Sequence, residues 1–270
     1  MAIQFETTNR YYTYKGCNCQ VLNTPYIGEN FKSLMEEALA YTNHLGKEEI
    51  IFIEMSDLNF KPPFDFAYCD RSLDDCFAII INSKSCYPFY LAHELVHLLP
   101  DFHDIDNYRI LTIEGQPIEN WPLFSQCVRT IEHLLSDIHI DSEVIKRGFS
   151  IEEHFSEQLS LGCPVFGDDI YFFDLYDNVR LASNYLQSYY QLKNAIQINS
   201  VDSSLSAELN NIYITMSSRC RAAFSIAWII DALITQHAFL DEFSNEKFSA
   251  IVDSVMRFLR QIGVPSPDIS

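Results

Sequence analysis

The chain has 270 residues, of which 48% are apolar, so it is long enough to bury a core of its own. Its 37 Asp and Glu outnumber its 18 Lys and Arg, which gives a formal net charge of -19. Such a surface repels phosphate backbones and anionic lipid, so we expect neither a nucleic-acid partner nor a membrane partner. The N-terminus shows no basic or apolar segment of a secretory signal, and the eight cysteines form no C-x-x-C pair. We therefore expect a cytoplasmic protein with reduced thiols.

The strand patterns of the chain are confined to about its first 85 residues. One segment with apolar side chains at helical spacing lies between these strand patterns, and a second helical pattern follows the last of them. In chain order, we predict a β-leaning segment at 1–27, a helix from Asn30 to Leu45, β-runs at Glu49–Glu54 and Cys76–Asn82 with the loop Leu58–Asp75 between them, and a helix that runs through Leu99 and stops at Pro100.

From about Trp121 onward the pattern is almost entirely helical. The segment 124–147 places its apolar residues on one stripe, and Gly148 stands where a C-terminal cap is expected. Further helical patterns lie near 150–161, 172–198, 205–238 and 241–262. Strands followed by helices predict an α+β fold, with an N-terminal part at 1–120 and a helical part at 121–270 in one continuous globular unit.

The segment Leu91–Pro100 contains the pattern His93-Glu94-x-x-His97. Residues four apart lie on one face of a helix, so the two imidazoles can converge on one point. Imidazole nitrogens are standard zinc ligands, and a catalytic zinc site takes three protein ligands and a water. Glu94 is offset by about 100° from His93, which places it beside the metal-bound water rather than on the metal. The pattern predicts that zinc lowers the pKa of this water, that Glu94 accepts its proton, and that the hydroxide attacks a polarised carbonyl.

An H-E-x-x-H helix preceded by a short apolar strand resembles the zincin metallopeptidases, and the resemblance covers about residues 48–148. It implies a zinc-dependent peptidase that acts on a peptide or protein, with His93 and His97 as metal ligands and Glu94 as general base. It also implies that the strand before the helix, Phe77–Asn82, forms the edge of a small sheet and pairs with an extended substrate. The alternative is a binding or regulatory protein that keeps the zincin scaffold without proteolytic activity.

Three residues compete to be the third metal ligand. His103 stands six residues after the motif, as in the metzincin pattern, but Pro100 replaces the glycine of that pattern and cannot make its turn. Asp137 and Asp141 are similar to the i, i+4 pair of gluzincins, where a Glu binds zinc and an Asp orients an active-site His. His133 lies one turn before Asp137, as a further ligand candidate or as a group that stabilises the oxyanion. We favour Asp137, which implies a gluzincin-like site with an Asp in place of the usual Glu.

Overall fold

The computed structural model describes residues 3–60, 67–103, 112–113, 116–117, 122–152, 155, 174–197, 203–241 and 243–261. The chain forms two compact units. The sheet unit comprises Met1–Ile105 and Glu143–His154, and the helical unit comprises Asp106–Ser142 and Phe155–Ser270. The predicted α+β class is confirmed, since a five-stranded mixed sheet accompanies a larger share of helix. A segment after residue 121, Glu143–His154, groups with the N-terminal unit, which the predicted division of the chain did not anticipate.

In the part of the sheet unit that the structure describes, there are five strands and two complete helices. They are β1 (Thr7–Tyr14), β2 (Cys17–Leu22), α1 (Glu29–His44), β3 (Glu49–Glu54), β4 (Ala67–Asp70), β5 (Cys76–Ile81) and α2 (Pro88–Val96), with a short 3-10 helix at Met55–Asp57. The strand order is β1-β2-β3-β5-β4, in which β3 and β5 are parallel and the other neighbours are antiparallel. Lys15 and Gly16 both have positive φ, which a two-residue hairpin turn between β1 and β2 requires.

The central strands of this sheet are buried on both faces. All six residues of β5 are buried, and such an unbroken apolar run is typical of an interior strand. Cys76, Ala78 and Ile80 of β5 belong to one core cluster together with residues of β2 and β3. Phe77 points to the other face, where the Lys47 ammonium lies 4.9 Å from the centre of its ring. Helix α1 packs against α2 and against β3.

The expected edge position of Phe77–Asn82 is wrong. β5 lies between β3 and β4, and β4 pairs with it from Ala67↔Ile81 to Asp70↔Ala78. β4 comes from the segment that was predicted to be a loop. Its four residues are too few to show a clear alternation of apolar and polar side chains, and they become a strand through backbone pairing with β5. On this side of the sheet the edge strand is therefore β4.

Among its described residues, the helical unit contains a two-stranded ribbon, most of the helix α3, and four further helices. They are β6 (Thr112–Ile113), β7 (Gln116–Pro117), α3 (Pro122–Lys146, of which Pro122–Ser142 belong to this unit), α4 (Leu175–Gln197), α5 (Ser203–Arg219), α6 (Arg221–Gln236) and α7 (Asn245–Gln261). We had predicted that strands are confined to about the first 85 residues. The ribbon shows that this prediction is wrong. The pattern at 205–238 is two helices separated at Cys220, whose φ and ψ of -122° and 56° are not helical. The predicted helix at 150–161 lies almost entirely outside the described residues.

Helix α3 ends at the predicted glycine. Gly148 has a φ of +86°, and its amide donates to the carbonyl of Ile145 at 2.9 Å. The amide of Phe149 donates to the carbonyl of Val144 at 3.3 Å. These two bonds form a Schellman motif, which confirms that Gly148 is the cap of this helix.

The cysteines that the structure describes are free thiols. Six of these seven are buried, and Cys69 is partly exposed. Cys163 lies outside the described residues. Burial raises the pKa of Cys76 to about 11 and, together with the carboxylate of Asp174, that of Cys127 to about 12. These thiols are protonated at neutral pH and fill space as small apolar groups.

Within the described residues, no helix combines the length and the apolar character that a membrane-crossing segment needs.

Candidate metal centre

Helix α2 presents its polar residues on a single stripe. Pro88 occupies the first helical position, where a missing N–H costs nothing, and Tyr87 before it is extended. The apolar residues Phe89, Leu91, Ala92, Leu95 and Val96 are buried. The remaining face carries Tyr90, His93, Glu94 and His97, all partly exposed and spaced so that they follow one another along the helix. The motif residues therefore occupy the accessible side of a helix that is otherwise in the core.

The imidazoles of His93 and His97 converge. Their Nε2 atoms lie 3.2 Å apart, with ring centroids 4.9 Å apart and the rings inclined at 69°. Two nitrogens bound to one tetrahedral zinc ion at about 2.0–2.1 Å are separated by about 3.3 Å. The spacing of the two ring nitrogens therefore fits a pair of ligands of one zinc ion.

Helix α2 ends earlier than the sequence predicted, and tight turns follow it. We expected helix through Leu99, but α2 ends at Val96, and the amides of Leu98 and Leu99 donate three residues back, at 2.9 and 3.0 Å. A proline disfavours the helical conformation in the residue before it, which explains why the helix gives way to turns before Pro100. His97 keeps helical φ and ψ as the cap, and its amide still donates to the carbonyl of His93 at 3.3 Å. The i, i+4 relation of the two histidines is therefore preserved.

The structure brings Asp137 to the two histidines. One ligand atom from each of His93, His97 and Asp137 lies within 4.8 Å of the other two, and all three side chains are partly exposed. Among the residues that the structure describes, no other group of three His, Cys, Asp or Glu side chains meets this criterion. These are the three residues that the sequence favoured as ligands. That they bind a metal stays a prediction.

The other two ligand candidates are not part of this group. The ring of His103 packs edge-on against Tyr41, with 5.6 Å between centroids, and lies 5.8 Å from the ring of Phe77. Its backbone carbonyl accepts a hydrogen bond from Nη1 of Arg71 at 2.5 Å. These contacts hold His103 against α1 and β5. His133 is exposed on α3.

Glu94 has a buried thiol in its neighbourhood. Burial, and then the carboxylates of Glu94 and Glu54, raise the pKa of the Cys86 thiol to about 12. Cys86 is therefore a neutral thiol at physiological pH and not a nucleophile. Sequence reasoning did not single out this cysteine, because no Cys–His pattern marks it. The carboxylate of Glu54 has a structural role, since Oε2 accepts the amide of Ser83 at 3.2 Å.

Asp141, one turn beyond Asp137, is held by a neighbouring helix. Its side chain is 1% exposed, and its Oδ2 accepts hydrogen bonds from Nε2 of Gln191 at 2.7 Å and from Nε2 of Gln187 at 3.2 Å. Sequence reasoning missed both glutamines. They stand four residues apart on one face of α4, but this spacing is too common in helices to indicate a role. The predicted role of Asp141 as the carboxylate that orients an active-site histidine stays a prediction.

Comparison with known proteins adds no family to these observations, because no protein-family model, no curated protein and no solved structure matches the chain. The zincin resemblance therefore depends on the motif and its structural context alone. Two imidazoles and one carboxylate are the donor set of many catalytic zinc sites. The same set also suits Fe²⁺. The donor atoms fit a transition metal, and the choice of zinc belongs to the functional proposal.

Proposed function

We propose that this protein is a zinc-dependent metallopeptidase with a gluzincin-like site, in which His93, His97 and Asp137 bind Zn²⁺. The observation that carries the proposal is the convergence of one ligand atom from each of these residues to within 4.8 Å. Two of the three ligands stand in an H-E-x-x-H pattern on a helix. In that pattern the Glu serves as the base of a metallopeptidase.

Zinc supplies the electrophilic part of the chemistry, since a bound zinc ion lowers the pKa of water and polarises a carbonyl oxygen. Three protein ligands would leave a position for water or substrate, as a catalytic zinc site requires. His93 and His97 would bind the metal through ring nitrogens, and Asp137 through a carboxylate oxygen. The partial exposure of all three side chains leaves them accessible to solvent.

Glu94 is the residue that moves the proton. It follows His93 directly in the chain, about 100° further around the helix, and so lies next to the ligands without being one of them. It is partly exposed, which allows it to meet water and substrate. We assign it the role of general base that accepts a proton from water, and then of general acid that returns it to the leaving amine.

The substrate in this proposal is a peptide or protein segment in an extended conformation. Since β5 is an interior strand, the strand available for pairing is the edge strand β4, which packs against α2. An extended peptide can add to such an edge through main-chain hydrogen bonds. β4 has only four residues, so this pairing would hold a short stretch of substrate.

The Glu94→Gln substitution tests the proposal, because it removes the base while leaving the three ligands in place. With fluorescein-labelled casein as the probe, we expect cleavage to fall by about 10²–10⁴-fold, with one zinc per chain still bound. Glu36→Gln is the matched control, since Glu36 is an exposed carboxylate on α1 of the same unit. We expect this control to cleave casein at the wild-type rate.

The same experiment separates the two candidate functions. Cleavage at the wild-type rate by a zinc-loaded Glu94→Gln protein would show that the assigned base is wrong. A wild-type protein that binds zinc but cleaves none of a panel of unfolded proteins would support a binding or regulatory role instead. Metal analysis of the purified wild-type chain decides between zinc and iron at the site.

A further inference from the structure

The carboxylate of Asp141 is bound by two amides of another helix. Both hydrogen bonds end on the same oxygen, Oδ2, and both donors belong to α4, at Gln187 and Gln191. The group is deeply buried, with 1% exposure for Asp141 and for Gln191. Hydrogen bonds that involve a charged group inside a protein are stronger than those between neutral groups. The connection between α3 and α4 at this point is therefore tight.

The amide of Gln191 is oriented by Asp141. Within the described part of the chain its Oε1 is buried and has no hydrogen-bond partner. Turning the amide over would place Oε1 against the carboxylate of Asp141, which would repel it. The bond to Asp141 is therefore kept although it leaves this buried oxygen without a protein donor among the described residues. Such unpaired buried groups are found where a protein needs a particular geometry.

The hydrogen bonds to Asp141 bear on the position of the Asp137 carboxylate, one turn earlier on the same helix. Asp137 and Asp141 are four residues apart on α3, so they lie on one face and about 6 Å apart along the helix axis. A rotation of α3 about its axis would move both carboxylates together. Metal ligands must be placed to within about 0.2 Å of their ideal distance, so a small rotation is enough to weaken metal binding.

We infer that Gln187 and Gln191 are positioning residues for the metal centre: by holding Asp141 they fix the rotation of α3 and thereby the place of the Asp137 carboxylate. The inference rests on the proposed function, in which Asp137 is a zinc ligand. Groups that orient metal ligands typically change metal affinity by about 10–100-fold when they are removed. Helix α4 would thus determine zinc affinity although none of its residues is assigned as a ligand.

The neighbouring residue on α4 offers a matched control. The hydroxyl of Tyr190 donates to Oδ1 of Asp231 on α6 at 2.7 Å, and Tyr190 is as deeply buried as Gln191. Removing this hydroxyl breaks a partly buried hydrogen bond between α4 and α6 and leaves both donors to Asp141 in place. A loss of stability is therefore expected in both cases, but a loss of zinc affinity only when Asp141 loses its donors.

The test compares Gln191→Met, Gln187→Met and Tyr190→Phe with the wild type. Zinc affinity is measured by competition with a chromophoric chelator, and the Tm of each metal-free protein is measured alongside it. We expect Gln191→Met, which loses the shorter bond, to bind zinc about 10–100-fold more weakly, and Gln187→Met to show a smaller loss. Each of these variants keeps one amide bond to Asp141, which favours folding. Tyr190→Phe should keep the wild-type zinc affinity despite a lower Tm.

Two results would overturn the inference while leaving the proposed function intact. One is wild-type zinc affinity in Gln191→Met. The other is an equal loss of affinity in Gln191→Met and Tyr190→Phe, which would indicate a general structural effect. If the wild-type chain bound no zinc, or if Asp137→Ala bound it as well as the wild type, the metal site itself would be wrong and the inference would fall with it.

Discussion

The helices α2 and α3 both carry candidate ligands, but they present polar side chains in different ways. In the nine-residue α2 the polar residues share one partly exposed stripe, and the rest of the helix is buried. The 25-residue α3 instead has polar residues inside the protein. Glu132, Ser136, Asp141 and Ser142 are all no more than 6% exposed.

This difference shows what spacing can and cannot reveal. In α2 the polar residues follow one another along a single stripe, so a short sequence pattern describes them all. In α3 the carboxylates have separate partners: Glu132 pairs with Arg129, Asp141 accepts two amides, and Asp137 lies with the two histidines. Their positions along the helix do not reveal these partners, which are set by the residues packed around each carboxylate. Substitutions on α3 should therefore have effects that differ in kind as well as in size.

The largest effect is expected at Asp137. Asp137→Ala removes the carboxylate of the three-residue group and should weaken zinc binding by more than the roughly 100-fold that is typical of losing a group that merely orients a ligand. His133→Ala, one turn earlier on the same helix, should bind zinc as the wild type does, because His133 is exposed and outside the group. Equilibrium dialysis with zinc measures both.

His103→Ala completes this comparison. His103 packs against Tyr41 and Phe77, so its loss should lower the Tm and leave zinc stoichiometry unchanged. If His103→Ala lost its metal while Asp137→Ala kept it, the third ligand would lie next to α2 in sequence and not on α3.

A smaller effect, on stability alone, is expected at Arg129. Its Nη1 lies 2.6 Å from Oε2 of Glu132, which is fully buried, whereas Arg129 is 30% exposed. Arg129→Met leaves the buried carboxylate without this cation and should lower the free energy of unfolding by about 2–3 kcal/mol, less than for a fully buried pair because solvent screens the arginine. Urea unfolding measures the change, and zinc stoichiometry should not alter. The double variant Arg129→Met, Glu132→Met should recover most of the stability; if it did not, the cost would lie in packing rather than in the loss of this ion pair.

The smallest effect concerns pH. Burial and the carboxylate of Asp174 raise the pKa of Cys127 on α3 to about 12 from an ordinary value of 9.0. Above pH 9 the unfolded chain loses this proton and the folded chain keeps it, so stability is present below pH 9 and declines toward pH 12. Between pH 8 and pH 10 this thiol should account for a loss of about 1.4 kcal/mol in the free energy of unfolding. Cys127→Ala should therefore show a shallower decline over this range, and parallel curves for the two proteins would contradict the prediction.

Much of the fold could be predicted where the signal is local. Helix α1 begins and ends one residue before the predicted bounds, β3 matches them, and Gly148 caps α3 as expected. β4 could not be predicted, because its four residues depend on pairing with β5. The edge position of Phe77–Asn82 was carried over from the zincin resemblance, and the apolar run of β5 marks a buried strand without revealing its neighbours.

In the candidate site, too, the residues close together in sequence could be predicted, and those brought together by the fold could not be settled by spacing. His93, Glu94 and His97 were visible because all three lie within five residues on one helix. The choice among Asp137, His103 and His133 depends on which segment folds back to α2, and spacing alone leaves all three open. The roles of Gln187 and Gln191 could not be predicted from the sequence, because their amides bind Asp141, which lies 46 and 50 positions away in the chain.

The buried thiols offer a way to time the opening of each unit separately. Iodoacetamide reacts with thiolates that solvent can reach, so alkylation of a buried cysteine requires a local or global opening of the surrounding structure. Cys19 and Cys86 would report on the sheet unit, and Cys127 and Cys220 on the helical unit. Mass spectrometry of alkylated peptides would give an opening rate for each thiol without any added label. The native cysteines would therefore show which of the two units opens first.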